Sequence, residues 1–236
     1  MIPKTIHYIW LGGNELPKIA EKCIASWKKF CPDYEIKRWD ESNLNIDICE
    51  YCREAYDCKK YAFASDVLRY DILAKEGGIY LDIDVEIIKP IDEFLKNACF
   101  MGFEKYNSVN PGLIIGAEKG NVDIQNLFNM YHKDHFLQDG KQNLKTVCER
   151  AVEYLVSKGL ILNNKTQHVS TAMVYTSEFF NPTDLRTQKL KITRNTHSIH
   201  NYNASWYSLR QKFKRGVKTF FNKITFGLFG KIFLKK

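Results

Sequence analysis

The segment GGIYLDIDVEII, residues 77–88, places an acidic side chain at every second position of an otherwise apolar run. In an extended strand, residues two apart point to the same side and lie roughly 6–7 Å apart along the chain. A strand over this segment therefore predicts one face that carries Asp82, Asp84 and Glu86. Such a face suits either the wet side of an antiparallel edge strand or a metal site.

The residues that alternate with the acids are strongly apolar, which indicates a strand anchored in a core. A rigidly held carboxylate pair can bind Mg²⁺ or Mn²⁺, because these ions prefer hard oxygen ligands and keep open positions for a diphosphate. A cation on the diphosphate stabilises the charge that develops on a departing nucleotide, as sugar transfer from a nucleotide sugar requires. The segment therefore raises the hypothesis of a metal-dependent transferase.

The flanking sequence predicts an α/β fold. An apolar first strand ends at Gly12-Gly13, a helix covers residues 16–30 and a short strand covers 34–39, which is the β-α-β start of a nucleotide-binding fold. A helix over 60–76 then ends at Gly77-Gly78, immediately before the acidic segment. Further strands are predicted at 97–104 and 112–118, and further helices at 121–133 and 143–158.

Length and composition favour one large folded domain. The chain has 236 residues, of which 44% are hydrophobic and 14% aromatic, and it has no low-complexity tract. We expect it to stay in the cytoplasm, because the start lacks an export signal and no long apolar stretch follows. Seven cysteines without an export signal predict reduced thiols, and the cluster Cys49, Cys52 and Cys58 lacks a fourth ligand at zinc-finger spacing.

The net charge of +8 comes from the C-terminus. Residues 206–236 hold nine Lys or Arg and no acid, so the rest of the chain has 26 basic against 27 acidic residues. Six apolar residues lie on a helical stripe between these charges, which predicts a basic amphipathic helix for an anionic membrane surface. A helix packed on the domain with a solvated basic face is the alternative. Nucleic-acid binding is not favoured, because no motif for it is recognisable.

Four segments together resemble a known family. They are IPKTIHYIWLGG, SWKKFCPDYEIKRWDE, KKYAFASDVLRYDILAKEGGIYLDIDVEIIKP and NTHSIHNYNASW, in this order between residues 2 and 206. They are similar to glycosyltransferase family 32, the bacterial capsular and lipopolysaccharide-type sugar transferases with a DXD motif, and to clostridial toxin glucosyltransferase domains. The resemblance implies a GT-A fold (a Rossmann-like mixed sheet flanked by helices), a nucleotide-sugar donor, Mn²⁺ or Mg²⁺, and transfer with retention.

The resemblance also implies roles for individual residues. Asp82 and Asp84 match the DXD pair, with Asp84 on the metal and Asp82 on the ribose or the metal. Asp66 and Arg69, three apart on the helix before it, match the residues that hold the donor sugar and bring positive charge near the diphosphate. An exposed ion pair is the plain alternative for these two. His200 would complete the metal coordination, as a late histidine does in related retaining transferases.

The remaining matches border the donor. Trp10 matches the residue that stacks on the base in the related toxins, although a core tryptophan is the alternative. Asp40, with its neighbour Trp39, is expected beside the nucleotide, and Ser205 and Trp206 are expected on the diphosphate from a closing loop. Asn110 is a candidate for the acceptor side, although Asn-Pro-Gly also forms turns. Asn201 stands where many relatives carry a second histidine, and His7 is predicted to be a satisfied strand histidine.

The sequence thus predicts a GT-A domain over 1–206 and a basic helical tail over 207–236. The predicted enzyme transfers a hexose from a nucleotide sugar, with a UDP-sugar as the expected donor. The expected acceptor is a growing, lipid-linked cell-surface glycan at the inner face of the membrane. Two rivals remain at this point. One is a phosphatase with an aspartate nucleophile, which needs Thr or Val where this chain has Glu86. The other is a non-catalytic basic membrane-binding module on the same scaffold.

Overall fold

The computed structural model of the protein describes residues 1–184, 187 and 189–202. Fourteen short strands lie in these residues. In chain order they are β1 (Thr5–Ile9), β2 (Glu35–Trp39), β3 (Gly78–Tyr80), β4 (Val85–Ile87), β5 (Cys99–Lys105), β6 (Ser108–Val109), β7 (Ile115–Ala117), β8 (Leu137–Gln138), β9 (Lys141–Gln142), β10 (Gln167–Val169), β11 (Ala172–Tyr175), β12 (Thr183–Asp184), β13 (Lys189–Leu190) and β14 (Ser198–His200).

Eight strands form the main sheet, in the order β10-β11-β5-β7-β3-β1-β2 with β6 beside β5. β1 pairs in parallel with both β2 and β3, and β11 pairs in parallel with β5. β7 pairs antiparallel with β3 and β5. The sheet is therefore mixed, with a parallel half that carries β1 to β3, and the predicted α/β class is confirmed.

Helices pack on both faces of this sheet. In chain order they are α1 (Lys18–Phe30), α2 (Glu50–Asp57), α3 (Tyr61–Glu76), α4 (Val122–His132), α5 (Val147–Ser157) and the single turn α6 (Ser177–Phe180), with 3-10 turns at Ile46–Ile48 and Asp92–Phe94. The local sequence explains why these helices form. α1 buries Ala20, Cys23 and Trp27, three or four residues apart on one face. α5 begins with a capping box in which the Thr146 hydroxyl accepts from the Glu149 amide and the Glu149 carboxylate accepts from the Thr146 amide.

The acidic segment is two strands and not one, so the single-strand prediction over residues 77–88 was wrong. β3 ends at Tyr80, and a turn follows in which the Val85 amide donates to the Asp82 carbonyl at 3.0 Å. β4 then leaves the main sheet and pairs antiparallel with β14. Because the turn rotates the chain, Glu86 does not share a face with the aspartates, and its carboxylate accepts from Lys22 at 2.7 Å. The sequence still alternates between apolar and acidic residues here, because buried apolar side chains anchor both ends of the turn.

The core has two halves, one on each face of the sheet. β3 contributes to both, since Ile79 packs with Trp27 and Phe100 on one face while Tyr80 packs with Leu68 and Met101 on the other. A strand buried on both faces is held rigidly, because each such side chain stabilises the fold by about 1.5–3 kcal/mol. This rigidity fixes the position of the residues that follow β3.

All seven cysteines are free thiols, as predicted. Among the described residues, the only cluster of potential metal ligands contains no cysteine. No helix in this part of the chain is both long enough and apolar enough to cross a membrane. The predicted tail, residues 207–236, lies outside the described residues.

Candidate active site

A cavity of about 510 Å³ opens at the carboxyl ends of β1 and β3. Ligand sites in α/β sheets form at this edge, because the loops that leave parallel strands diverge there. Most of the residues singled out from the sequence line it. The lining consists of Ile9, Trp10, Leu11, Asn14, Tyr61, Ala62, Phe63, Ser65, Asp66, Arg69, Tyr80, Asp82, Ile83, Asp84, Glu104, Asn110, Thr146, Val147, Cys148, His200 and Tyr202.

Three contacts hold Asp82, and a glycine leaves room for its carboxylate. Its amide donates to the Gly112 carbonyl at 3.1 Å, and its carboxylate accepts from the Tyr80 hydroxyl at 3.1 Å. Arg69 Nη1 lies 3.5 Å from the same carboxylate oxygen. A Cβ atom at Gly112 would lie 2.2 Å from the other oxygen, so only glycine leaves room for this carboxylate. Sequence reasoning missed this role of Gly112.

Strand pairing brings His200 to the turn that carries Asp82 and Asp84, called the DXD turn below. In the β4–β14 pair it lies opposite Val85, the residue after Asp84. Its Nε2 is 3.2 Å from an Asp84 oxygen and 3.8 Å from an Asp82 oxygen, and the side chain is 3% exposed. Burial alone would lower the pKa of His200, but the neighbouring carboxylates of Asp82 and Asp84 favour the protonated ring and raise it to about 9.

These three residues fit a divalent cation. One ligand atom from each of Asp82, Asp84 and His200 lies within 4.8 Å of the others. Neither His200 ring nitrogen has a well-formed hydrogen bond within the described residues, although both are buried. A buried imidazole that faces two carboxylates is the donor set expected of a Mn²⁺ or Mg²⁺ site with open positions.

Asp66 and Arg69 form a buried ion pair, so the exposed-pair alternative was wrong. Arg69 Nη2 donates to Asp66 at 2.5 Å, and both side chains are almost fully buried. The guanidinium also lies over the Tyr80 ring, 4.5 Å from its centroid, which fixes it beside Asp82. Burial raises the pKa of the Asp66 carboxyl to about 7, although the Arg69 charge favours the ionised form.

The predicted nucleotide residues separate into two groups. Trp10 lines the cavity, where its indole Nε1 donates to the Asn14 carbonyl at 2.7 Å. Asp40 does not line it, and its carboxylate instead accepts from the Ser42 amide and hydroxyl. Trp39 lies away from the cavity as well, donating to His7 Nδ1 at 3.1 Å.

His7 is a satisfied strand histidine, as predicted. Because the Trp39 indole can only donate, Nδ1 of His7 accepts and its Nε2 carries the proton, which it donates to the Gly77 carbonyl at 2.9 Å. Burial lowers the pKa of this imidazole. His7 is therefore neutral in the folded protein and belongs to the core.

The cavity lining also contains Glu104 and Tyr202, whose roles sequence reasoning missed. The carboxylate of Glu104 accepts from Asn110 Nδ2 at 3.0 Å and from the Tyr202 hydroxyl at 3.2 Å. Asn110 lines the cavity and also forms a turn, accepting from the Gly112 amide at 2.7 Å. Tyr202 lies within the matched segment NTHSIHNYNASW but had no role assigned to it, and Glu104 lies in no matched segment; the fold brings the two together.

The structure describes only the first part of the last matched segment, NTHSIHNYNASW. Asn201 is not among the candidate ligands, and its backbone and side-chain nitrogens both donate to the Asp84 carbonyl at 3.0 Å. It therefore supports the DXD turn. Ser205 and Trp206 lie outside the described residues.

Comparison with known sequences agrees with this site. The model of the family described as "Glycosyltransferase sugar-binding region containing DXD motif" matches residues 17–101. An uncharacterised glycosyltransferase of Acanthamoeba polyphaga mimivirus is 28% identical over 200 residues, which cover 80% of this chain and 76% of the relative. These similarities identify the chain as an enzyme, a glycosyltransferase. The D-x-D phosphatase alternative is therefore set aside.

Two further relatives of this glycosyltransferase match over a smaller share of their length. Inositol phosphoceramide mannosyltransferase 3 of Schizosaccharomyces pombe is 41% identical over 101 residues, 40% of this chain and 27% of the relative. Subversion of eukaryotic traffic protein A of Legionella pneumophila is 31% identical over 169 residues, 58% of this chain and 26% of the relative. The chain thus spans about a quarter of the length of these two proteins.

A solved structure has the same fold. The PaToxG glycosyltransferase superposes with a TM-score of 0.55 at 22% identity, over 67% of this chain and 69% of the other. The mixed sheet flanked by helices is therefore the GT-A arrangement.

Proposed function

We propose that this glycosyltransferase is a metal-dependent, retaining hexosyltransferase of glycosyltransferase family 32, which takes its hexose from a nucleotide sugar. The observation that carries the proposal is the cluster of Asp82, Asp84 and His200 at the edge of the 510 Å³ cavity. A bound divalent cation would supply charge stabilisation for the departing diphosphate. Without it, the cavity is a poor host for an anionic donor.

The charge of the cavity supports the need for a cation. Its lining contains four carboxylates against one guanidinium and one imidazole. An incoming diphosphate would meet net negative charge, which costs several kcal/mol at short range in a partly buried site. A divalent ion on the DXD residues removes this repulsion.

The residues of the chain hold the other parts of the donor. Asp66 is placed to accept hydrogen bonds from sugar hydroxyls, and Arg69, fixed on Tyr80, brings a positive charge between Asp66 and Asp82. Trp10, partly exposed on the cavity wall, offers a ring face for the base.

Retention follows from attack on the side of the leaving group. The bond between the anomeric carbon and the diphosphate oxygen breaks, the acceptor hydroxyl oxygen bonds to that carbon, and its proton passes to the departing phosphate. This route needs no protein nucleophile, in keeping with a site whose aspartates are engaged by Arg69 and the proposed metal.

The proposed setting is the synthesis of a cell-surface glycan, such as capsule or lipopolysaccharide, on a lipid-linked acceptor. The domain would comprise residues 1–206, and the tail 207–236 would hold it at the inner face of the cell membrane through its nine basic residues. The non-catalytic membrane-binding module, the rival from the sequence, disagrees with the enzyme assignment. The intact Asp66–Arg69 pair and the metal cluster agree with the enzyme.

A panel of UDP- and GDP-hexoses tests the proposal. GDP-mannose is included beside the UDP-hexoses because several relatives are named mannosyltransferases. We expect Mn²⁺- or Mg²⁺-dependent release of the nucleoside diphosphate from one donor, with thermal stabilisation by the same nucleotide. Release that is unchanged in EDTA would contradict metal dependence, and the absence of release from every donor would contradict the donor class.

A further inference from the structure

A second cavity, of about 460 Å³, lies next to the first. Thirteen described residues line it, and all but Pro182 have amide, hydroxyl, carboxylate or ammonium side chains. A lipid chain would leave most of these polar groups without partners. A polyhydroxylated ligand would find hydrogen-bonding groups on most sides.

Glu104 is the residue that the two cavities share. Its carboxylate accepts from Asn110 and Tyr202 of the first cavity, while its backbone carbonyl accepts from Asn181 of the second at 2.8 Å. No cation lies within salt-bridge distance of Glu104 among the described residues. The carboxylate therefore keeps acceptor capacity at the boundary where donor and acceptor sugars would meet.

Tyr202 connects this boundary to the metal ligands. Its ring packs edge-on against His200 with centroids 4.1 Å apart, and its hydroxyl accepts from Asn181 Nδ2 at 2.7 Å. A ligand in the second cavity would thus lie next to the side chains that hold the reacting end of the donor.

Asn181, on the lining of the second cavity, also carries a polar atom without a partner. Asn181 is 2% exposed, and its Oδ1 has no hydrogen-bond partner within the described residues. Buried polar atoms are nearly always paired, so such an orphan indicates a missing partner.

The charges in the second cavity are nearly balanced. Its charged lining residues are Glu104, Lys105, Glu178, Asp184 and Lys191. This balance favours a neutral sugar over a phosphate group. Tyr106, 69% exposed on the lining, adds an aromatic face of the kind on which a sugar ring packs.

We propose that the second cavity is the acceptor subsite, that it binds a neutral hexose unit of the acceptor against Tyr106, and that Glu104 accepts a hydrogen bond from an acceptor hydroxyl at the boundary between the cavities. The proposal rests on the hexosyltransferase function proposed above. It names the substrate class for the second half of that reaction.

The test uses methyl glycosides of glucose, galactose and mannose as probes on the full-length chain. Binding is measured by saturation-transfer NMR without donor, for the wild type, Tyr106→Ala and Tyr106→Phe. We expect at least one glycoside to bind the wild type and Tyr106→Phe, and to bind Tyr106→Ala about three- to tenfold more weakly, because only alanine removes the ring. Equal binding to all three proteins, or no binding of any glycoside, would overturn the proposal.

Glu104→Gln is measured in transfer. The glutamine oxygen can still accept from Asn110 and Tyr202, so the fold is kept while the charge is removed. We expect about a ten- to hundredfold lower kcat/KM for the glycoside acceptor, the range for a hydrogen bond to a charged group. Glu153→Gln, at an exposed carboxylate far along α5, is the matched control with wild-type transfer. Equal acceptor kcat/KM in Glu104→Gln and the wild type would refute the role of Glu104.

The two proposals fail separately. Glycoside binding that depends on Tyr106, without hydrolysis of any nucleotide sugar, would retain the sugar subsite and refute the proposed donor chemistry. Metal-dependent donor hydrolysis without glycoside binding would refute the subsite alone.

Discussion

Gly112 provides a test of the geometry of the DXD turn. In Gly112→Ala the new Cβ would lie 2.2 Å from Asp82 Oδ2 and 2.9 Å from its carboxylate carbon, where ordinary contacts exceed 3.4 Å. The carboxylate must therefore move by about 1 Å, and a displacement of that size at a reacting centre costs about 100-fold in rate. This factor corresponds to about 2.7 kcal/mol of transition-state stabilisation.

The assay is metal-dependent donor hydrolysis, with the affinity for Mn²⁺ and the free energy of unfolding measured on the same protein. Gly116→Ala is the matched control, since its Cβ would meet the Phe100 ring at the same 2.2 Å but in the core. We expect both variants to lose about 1–3 kcal/mol of stability, and only Gly112→Ala to lose metal affinity and activity. Full activity in folded Gly112→Ala would refute the claim that the Asp82 position is critical.

Three further predictions follow from other parts of the molecule. Asp66→Ala should lower turnover of the whole donor much more than it weakens binding of the free nucleoside diphosphate, because its contacts would be to the sugar; equal losses in the two assays would place Asp66 elsewhere. Deleting residues from Phe213 onward should leave a folded enzyme that hydrolyses donor but no longer binds anionic vesicles, and full-length binding should weaken with added salt; failure to fold, or indifference of the full chain to anionic vesicles at low salt, would make the tail part of the core. Because the pKa of His7 is lowered in the folded protein, the unfolded chain binds the proton first as the pH falls below 6.5. The free energy of unfolding should therefore decrease from pH 6.5 downwards until the folded protein is also protonated, by at most about 1.4 kcal/mol per pH unit for this group. In urea titrations between pH 7 and 5, His7→Gln should flatten this pH dependence, and an unchanged slope would assign it to other groups.

Much of the fold could be predicted because its elements carry strong local signals. The predicted helices at 16–30 and 60–76 correspond to α1 and α3, and the strand at 34–39 corresponds to β2. The helix α2 was missed, because its short run around the clustered cysteines lacks a periodic pattern long enough to recognise. The break between β3 and β4 was also missed, since alternation does not distinguish one strand from two that are joined by a tight turn.

The candidate site was predictable where a motif carried it. Asp66, Arg69, Asp82, Asp84 and His200 converge on one cavity, although only the DXD pair and the helix before it are close in sequence. Glu104 and Tyr202 enter the same cavity through the strand order and the return of β14, which sequence spacing does not encode. Asp40 shows the converse, because a residue inside a matched segment can stabilise a turn and lie outside the site.

The proposed metal site consists of Asp82, Asp84 and His200, which would bind the divalent cation that the donor requires. Calorimetric titration of Mn²⁺, with and without nucleoside diphosphate, tests it on the wild type, Asp84→Asn and Glu86→Gln, the last being a neighbouring carboxylate paired with Lys22 outside the cluster. We predict about one Mn²⁺ per chain, bound more tightly with the nucleotide, in the wild type and Glu86→Gln, and severe loss of binding in Asp84→Asn. Mn²⁺ binding of wild-type strength in Asp84→Asn would contradict the claim.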